Sequence, residues 1–181
     1  MNVMHCKRKL FWLAPRTSTR YTFSLLRPFG LQGDVRRPDV GTHSVGFPPG
    51  TDGYEVVATV RCPFRRMLSA WKWLSVIRDN IPDDFKEFVH ATELWQKTLS
   101  PLTVHYDVSK VSRVVRLEHY EHDIRKLQIL PDGFELPRNT FDSGLGVCPL
   151  ADFYGTEELA VVESEYKNDI EWSSKWESLT H

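Results

Sequence analysis

The strongest constraint on the fold is an alternation of short strand-like segments with longer helix-like ones. Each strand-like segment is apolar and rich in aromatic or β-branched residues, and a stretch with apolar residues at helical spacing follows it. We predict strands over residues 8–14, 54–60 and 111–117, and helices over residues 19–26, 63–78, 82–99, 120–130 and 156–172. Such alternation predicts an α/β fold in which helices flank a central, mainly parallel sheet.

The chain length and the absence of long apolar runs limit the number of domains and the cellular location that we expect. At 181 residues it fits a single domain over residues 1–181. No run approaches the roughly 20 apolar residues of a membrane span, and Leu10–Ala14 is too short for a signal peptide core. The three cysteines form no CxxC pair, which indicates a reducing compartment. We therefore expect a soluble, cytoplasmic protein.

Charge is distributed unevenly between the two parts of the chain. Residues 1–78 carry 13 Lys and Arg against 4 Asp and Glu, whereas the remainder carries 10 against 20. A basic first part suggests that an anionic ligand binds there, although two solvated faces would give the same counts. We do not expect a nucleic acid partner, because no dense Lys/Arg tract or basic run with interleaved aromatics occurs.

The first candidate binding segment is "APRTSTR", where the first predicted strand meets a helix. The first N–H groups of a helix have no partner within it and lie at the positive end of its dipole, so they favour an anion. Arginine and hydroxyl side chains would add donors. An ordinary helix cap with exposed arginines is the alternative interpretation. The candidate residues are Arg16, Thr17, Ser18, Thr19 and Arg20.

The second candidate segment is "VRCPFRRMLSAW", which follows the second predicted strand. Arg61 ends that strand, and Ser69 lies on the next helix, off the apolar stripe of Met67, Leu68 and Trp71. Ligands of parallel sheets bind beyond the carboxyl ends of the strands, which is where both segments fall. We therefore predict that the two segments serve one site, although Arg61 and Ser69 could also be structural.

These segments resemble those of sulfotransferases that use 3′-phosphoadenosine 5′-phosphosulfate (PAPS). "PRTSTR" is similar to the 5′-phosphosulfate loop of that family, PKxGTT or PRxGST, and "VRCPFRRMLSAW" is similar to its 3′-phosphate segment, VRNPYDRLVSAY. "VVRLEHYEHDIRKL" resembles a later family segment, and the closing stretch carries the typical Tyr-x-x-Asp pair as Tyr166 and Asp169. The segments occur in family order between about residues 8 and 176. The carbohydrate sulfotransferases are the most similar in pattern.

The resemblance implies a P-loop-NTPase-like sulfotransferase fold, PAPS as sulfate donor, PAP as product and no metal. Residues 16–20 would hold the 5′-phosphosulfate, with Arg16 stabilising the leaving oxygen, and Arg61 with Ser69 would hold the 3′-phosphate. His43 is in the position of the catalytic base. The acceptor would be a hydroxyl, with carbohydrate favoured, and a homodimer is possible. The loop departs from the family pattern at Arg16 (usually lysine), Ser18 (usually glycine) and Arg20 (usually a hydroxyl residue).

Several alternatives stay open at the level of sequence. Glu55 is a second choice for the base. A non-catalytic module that binds PAP or PAPS would need the same phosphate contacts. A P-loop-like nucleotide kinase is less favoured, because the GxxxxGK[ST] loop is absent. We do not expect a metal site at His119 and His122, since their spacing matches no dependable ligand pattern.

Overall fold

The architecture comes from a computed structural model that describes residues 2–13, 16–17, 19–31, 52–105, 107–137 and 148–177. Contacts divide the chain into two compact units. The first unit comprises residues 1–60 and 105–141, and the second comprises residues 61–104 and 142–181. The single domain over residues 1–181 stays a prediction.

The first unit is built on a four-stranded sheet, and its strands are β1 (Asn2–Cys6), β2 (Lys9–Leu13), β3 (Glu55–Val60) and β4 (Arg113–Arg116). They are arranged in the order β1-β2-β3-β4. β2 pairs with β3, and β3 pairs with β4, in parallel, whereas β1 pairs with β2 antiparallel. The predicted α/β class and its mainly parallel sheet are confirmed.

Eight α-helices are present among the described residues. The first unit contains α1 (Thr19–Leu26) and α6 (Tyr120–Lys126). The helices of the other unit are α2 (Pro63–Ile77), α3 (Phe85–His90), α4 (Thr92–Leu99), α7 (Thr156–Glu165) and α8 (Lys167–Glu177). The other unit also contains α5 (Leu102–His105) except for its last residue. Short 3-10 helices occur at Arg27–Phe29, Val108–Lys110, Leu117–His119 and Leu150–Asp152. No helix in these described ranges is long and apolar enough to cross a membrane.

Alternate side chains of the strands form the core of the first unit. Phe11, Val57 and Val115 lie in one cluster with side chains of α1 and α6, as expected from the two-residue period of a strand. The residues between them in β2 and β3, such as Trp12 and Ala58, are buried as well. Burial on both faces is typical of parallel strands, and it explains why these segments are almost continuously apolar.

The hairpin between β1 and β2 was not predicted. Its turn consists of Lys7 and Arg8, whose φ angles are 44° and 60°. A two-residue turn of this hand is usually marked by Asn-Gly or Asp-Gly, because those residues tolerate positive φ. The Lys side chain donates to the carbonyl of Ile129 (2.7 Å), and the Arg guanidinium lies over the ring of Tyr54. Tertiary contacts therefore accompany a turn that has no local sequence signal.

Two predicted helices are each divided in the structure. The predicted helix over residues 82–99 is interrupted at Ala91, and the closing helix is interrupted at Tyr166. The closing helix begins at Thr156, as predicted, and Gly155 is its N-cap residue. There the Glu158 carboxylate accepts a hydrogen bond from the Gly155 N–H (2.8 Å). Glycine has no side chain that could accept a hydrogen bond from the helix, and the glutamate in the first turn instead accepts one from the glycine N–H.

Candidate functional site

Between β2 and α1 the structure describes Arg16 and Thr17. Arg16 adopts a left-handed conformation with φ 65° and is partly exposed. For a residue with a Cβ this conformation costs about 1 kcal/mol. α1 then begins at Thr19, has no acidic residue in its first turn, and exposes Arg20. Ser18 and the side chain of Thr19 lie outside the described residues.

Thr17 is buried rather than presented at the surface. Its side chain is 0% exposed, and its Oγ1 lies 2.7 Å from Oγ1 of Thr59 on β3. We predicted that the Thr17 hydroxyl would donate to a phosphate. In this arrangement the hydroxyl instead bonds inside the unit, so direct contact with a ligand stays a prediction that the burial does not support.

The pairing of β2 with β3 brings the beginnings of the two candidate segments to one edge of the sheet. Leu13 is in register with Thr59, so the two strands end side by side. Neighbouring strands lie about 4.8 Å apart. In sequence, the first candidate segment follows the last residue of β2, and Arg61 follows the last residue of β3 directly. This is the carboxyl edge, where ligands of parallel sheets bind.

In the second unit, Arg61 and Ser69 differ in accessibility. Arg61 is partly exposed and precedes α2, which Pro63 opens at a position where no N–H is needed. Ser69 is only 3% exposed. We expected it to lie off the buried stripe, but residues 66–70 are all buried, so this part of α2 exposes no residue to solvent. The contact of Ser69 with a phosphate therefore stays a prediction.

The two candidate bases are in different situations. His43 lies outside the described residues, and its role stays a prediction. Glu55 is the first residue of β3, about 16 Å along the strand from the carboxyl edge. It hydrogen-bonds to Lys9 and accepts from Arg113 Nε (2.8 Å). The hydrogen bond from Lys9, more than any other contact, lowers the pKa of Glu55. Glu55 is thus both remote from the candidate segments and a weaker base than usual.

The segment "VVRLEHYEHDIRKL" holds a buried ion pair. Arg116 donates from Nε and Nη2 to the two carboxylate oxygens of Asp123 at 2.8 and 2.9 Å, and its backbone N–H donates to the same carboxylate. Burial alone would raise the pKa of Asp123, but these bonds outweigh it and lower the pKa. The pair joins β4 to α6, so the arginine and aspartate of this segment have a structural role.

The Tyr-x-x-Asp pair of the closing stretch is also structural. The Tyr166 hydroxyl donates to the carbonyl of Leu99 (2.5 Å), and the Arg66 guanidinium lies 6.0 Å from the centre of its ring. The Asp169 carboxylate accepts from the N–H groups of Leu102 (2.6 Å) and Thr103 (2.9 Å). Both side chains therefore fix the chain at the junction of α4 and α5.

Among the described residues, the three side chains able to hold a cation together are His90, Glu157 and Glu158, whose ligand atoms lie within 4.8 Å of one another. His119 and His122 do not belong to this group. His90 Nε2 is already 3.2 Å from the Glu158 carboxylate, which also caps α7. These contacts give the cluster a structural function without an ion.

Sequence reasoning missed Thr59, the partner of Thr17. The signal was present, since Thr59 is a hydroxyl residue inside the otherwise aliphatic strand "EVVATV". A polar side chain in a strand buried on both faces needs a hydrogen-bond partner. The identity of that partner could not be read from the sequence, because it depends on the register of β2 with β3.

Comparisons of the chain with protein-family models, with curated proteins and with solved structures gave no match.

Proposed function

We propose that this protein is a PAPS-dependent sulfotransferase that moves a sulfuryl group from PAPS to an acceptor hydroxyl. One observation carries the proposal. The two segments that resemble the family's phosphate-binding motifs leave neighbouring parallel strands at the same, carboxyl edge of the sheet. Ligands of parallel sheets bind beyond this edge, so the arrangement supports a ligand that contacts both segments.

The side chains near the end of β2 suit an anionic ligand. Arg16 and Arg20 are at least partly exposed, and the first turn of α1 contains no carboxylate that would repel a phosphate. The amino end of a helix adds its own positive partial charge. Arg61, also partly exposed, supplies a further cation directly after β3. The donor set therefore fits the phosphates of PAPS.

In the proposed reaction, these residues position the donor and balance its charge. Residues 16–20 hold the 5′-phosphosulfate, and Arg61, with Ser69 as its predicted partner, holds the 3′-phosphate. His43 accepts the proton of the acceptor hydroxyl as the acceptor oxygen bonds to sulfur and the bond from sulfur to the bridging oxygen breaks. Arg16 stabilises the negative charge that develops on this bridging oxygen, and PAP leaves.

A carbohydrate hydroxyl is the acceptor we propose, on the basis of the resemblance to carbohydrate sulfotransferases. The reaction needs only in-line positioning, charge stabilisation and a base, so the acceptor class rests on the pattern of the motifs. A second copy of the chain could complete the acceptor groove.

Binding is the first test of the proposal. Isothermal titration of the whole protein should detect PAP and should show weaker binding of ATP, which lacks the 3′-phosphate. Arg61→Ala should weaken PAP and adenosine 3′-monophosphate about tenfold or more, because a charged hydrogen bond contributes about 1.5–3 kcal/mol. The same change should leave adenosine 5′-monophosphate almost unaffected. Tighter binding of ATP than of PAP would contradict the proposal.

Activity is the second test, with [35S]PAPS and a screen of carbohydrate acceptors. We expect label in an acceptor and a loss of about 100-fold or more in turnover for His43→Ala, as for removal of a general base. A His43→Ala enzyme with unchanged turnover would remove His43 as the base. Binding of PAP without transfer to any acceptor would favour the non-catalytic PAP-binding module.

A further inference from the structure

Two threonine hydroxyls meet inside the first unit at the carboxyl ends of β2 and β3. Thr17 and Thr59 are each 0% exposed, and their Oγ1 atoms are 2.7 Å apart. The Thr59 hydroxyl is also 3.4 Å from the carbonyl oxygen of Trp12. Side-chain hydrogen bonds therefore connect the segment that follows β2 to the last residues of β3, in addition to the backbone pairing of the two strands.

Stability alone does not explain a pair of buried hydroxyls at this position. Valine has nearly the shape of threonine, and replacing both members of a hydrogen-bonded pair by apolar groups of the same shape is often close to neutral. Thr59 also stands in a strand whose other buried residues are valines and an alanine. A hydrogen bond differs from an apolar contact in its direction, so the pair can fix one conformation of the segment that carries Thr17.

The conformation that needs fixing lies immediately before Thr17. Arg16 has φ 65°, in the left-handed region that a residue with a side chain rarely adopts. Such conformations persist where the surrounding structure holds them in place, and they are often found at ligand sites. The buried bond of Thr17 supplies a fixed point one residue away. The Arg16 side chain is in turn partly exposed, as a ligand contact requires.

We propose that Thr17 and Thr59 are positioning residues of the donor site: their side chains fix the 5′-phosphate loop and do not themselves touch the ligand, so that Thr17 holds the 5′-phosphosulfate only through its backbone N–H. This inference rests on the proposed sulfotransferase function. The Thr17 side chain fixes the position of the loop backbone, because it is hydrogen-bonded to Thr59 on β3. The contacts with the 5′-phosphate then come from loop N–H groups and the arginines.

The proposal has a consequence that a general loss of stability does not share. Weakening the Thr17–Thr59 bond disturbs the group that holds the 5′-phosphate, while Arg61 and its strand stay in place. The variants should therefore lose affinity for PAP, which has both phosphates, but not for adenosine 3′-monophosphate, which lacks the 5′-phosphate. A destabilised protein that is still folded would not distinguish between the two ligands.

The test is isothermal titration of the full chain with PAP and with adenosine 3′-monophosphate. We expect Thr59→Val to raise the Kd of PAP about tenfold, in line with the loss of one buried hydrogen bond, and to change the Kd of adenosine 3′-monophosphate less than about twofold. Thr59→Ser keeps the hydroxyl and should restore the wild-type ratio. Thr17→Val removes the other hydroxyl of the pair and should raise the Kd of PAP to the same extent. The double variant should bind PAP no more weakly than either single variant.

Thr22→Val is the matched control. Thr22 is a threonine of the same unit that is also 0% exposed, and it accepts a hydrogen bond from the Tyr120 hydroxyl (3.0 Å). The Thr22→Val substitution should lower the free energy of unfolding without changing the ratio of the affinities for PAP and adenosine 3′-monophosphate. Equal weakening of both ligands by Thr59→Val, or no weakening, would overturn the positioning role while wild-type PAP binding still stood. A wild type that does not bind PAP would instead overturn the proposed function, and the positioning role with it.

Discussion

At the scale of single residues, the Arg116–Asp123 pair shows how a motif residue can serve the fold. The carboxylate of Asp123 is 5% exposed and accepts three hydrogen bonds from one arginine. A buried carboxylate is costly unless it is paired in this way, so removing one partner destabilises far more than the pair itself stabilises. The arginine and aspartate of this segment therefore stabilise the fold and do not take part in the proposed reaction.

We predict that Asp123→Asn lowers the free energy of unfolding by about 2–3 kcal/mol at pH 7. Because the pKa of Asp123 is lowered in the folded protein, its contribution is complete above the ordinary carboxyl pKa and is lost as pH falls through the folded-state pKa. The difference between wild type and variant should shrink as the pH falls below about 4. Urea unfolding at pH 7, 4 and 3 measures it.

Glu121→Gln is the control for Asp123→Asn. Glu121 is a carboxylate on the same helix that also pairs with an arginine, Arg125 (2.9 Å), but at the surface. Surface pairs of this kind contribute about 0.5 kcal/mol or less. A loss for Asp123→Asn as small as that for Glu121→Gln, or one that does not change with pH, would contradict the structural role of the buried pair.

Residue chemistry could be predicted from the sequence better than residue accessibility. The exposed Arg20 and the partly exposed Arg16 and Arg61 agree with the predicted binding segments. Thr17 and Ser69 have suitable chemistry, yet both are buried. Periodicity indicates which side of a helix is apolar, but it does not indicate how much of the remaining surface other parts of the chain cover.

At the scale of elements, α5 is held by a side chain distant in sequence. The helix has only four residues, too few to be stable by itself. The Asp169 carboxylate accepts from the N–H groups of Leu102 and Thr103 and from the Thr103 hydroxyl. It acts as an N-cap supplied from α8.

We predict that Asp169→Ala lowers the free energy of unfolding by about 2 kcal/mol, because two N–H groups at the start of α5 lose their acceptor. Urea unfolding monitored by circular dichroism measures the change. Glu171→Ala, on the same helix but exposed, should change stability by ~0.5 kcal/mol or less. Similar effects of the two substitutions would show that the Asp169 cap contributes little.

Most elements follow from local pattern, and the exceptions have tertiary causes. α1 and β3 begin and end within one residue of their predicted limits. The break at Ala91 has no proline or glycine to mark it. There the Trp95 indole N–H donates to the Val89 carbonyl (3.1 Å), an oxygen that a continuous helix would use for its own backbone bond. Such a competing partner could not be inferred from apolar spacing.

At the scale of the whole molecule, each unit has its own apolar core. The first core combines strands β2, β3 and β4 with α1 and α6. The second combines side chains of α2, α3, α4 and α7. A ligand that binds the folded protein and not the unfolded chain stabilises the folded state, so binding of PAP should be measurable as a stabilisation.

We predict that PAP at about 100 times its Kd raises the free energy of unfolding by about 2.7 kcal/mol. For a protein of this size that corresponds to a rise in Tm of about 5–10 °C. Differential scanning fluorimetry measures it, and Arg61→Ala should require a correspondingly higher PAP concentration for the same shift. An unchanged Tm of the wild type at millimolar PAP would contradict the prediction.

The position of β4 has a consequence for how copies of the chain behave in concentrated solution. In the described sheet it is an outer strand, four residues long, with Arg113 and Arg116 at its ends. Outer strands can recruit strands of other molecules, and shortness and charge are two features that discourage this. Arg113 is exposed and places its charge beside this edge, whereas Arg116 is mostly buried in its ion pair and its N–H donates to Asp123. Losing Arg113 would remove its bond to Glu55 and a barrier to aggregation together.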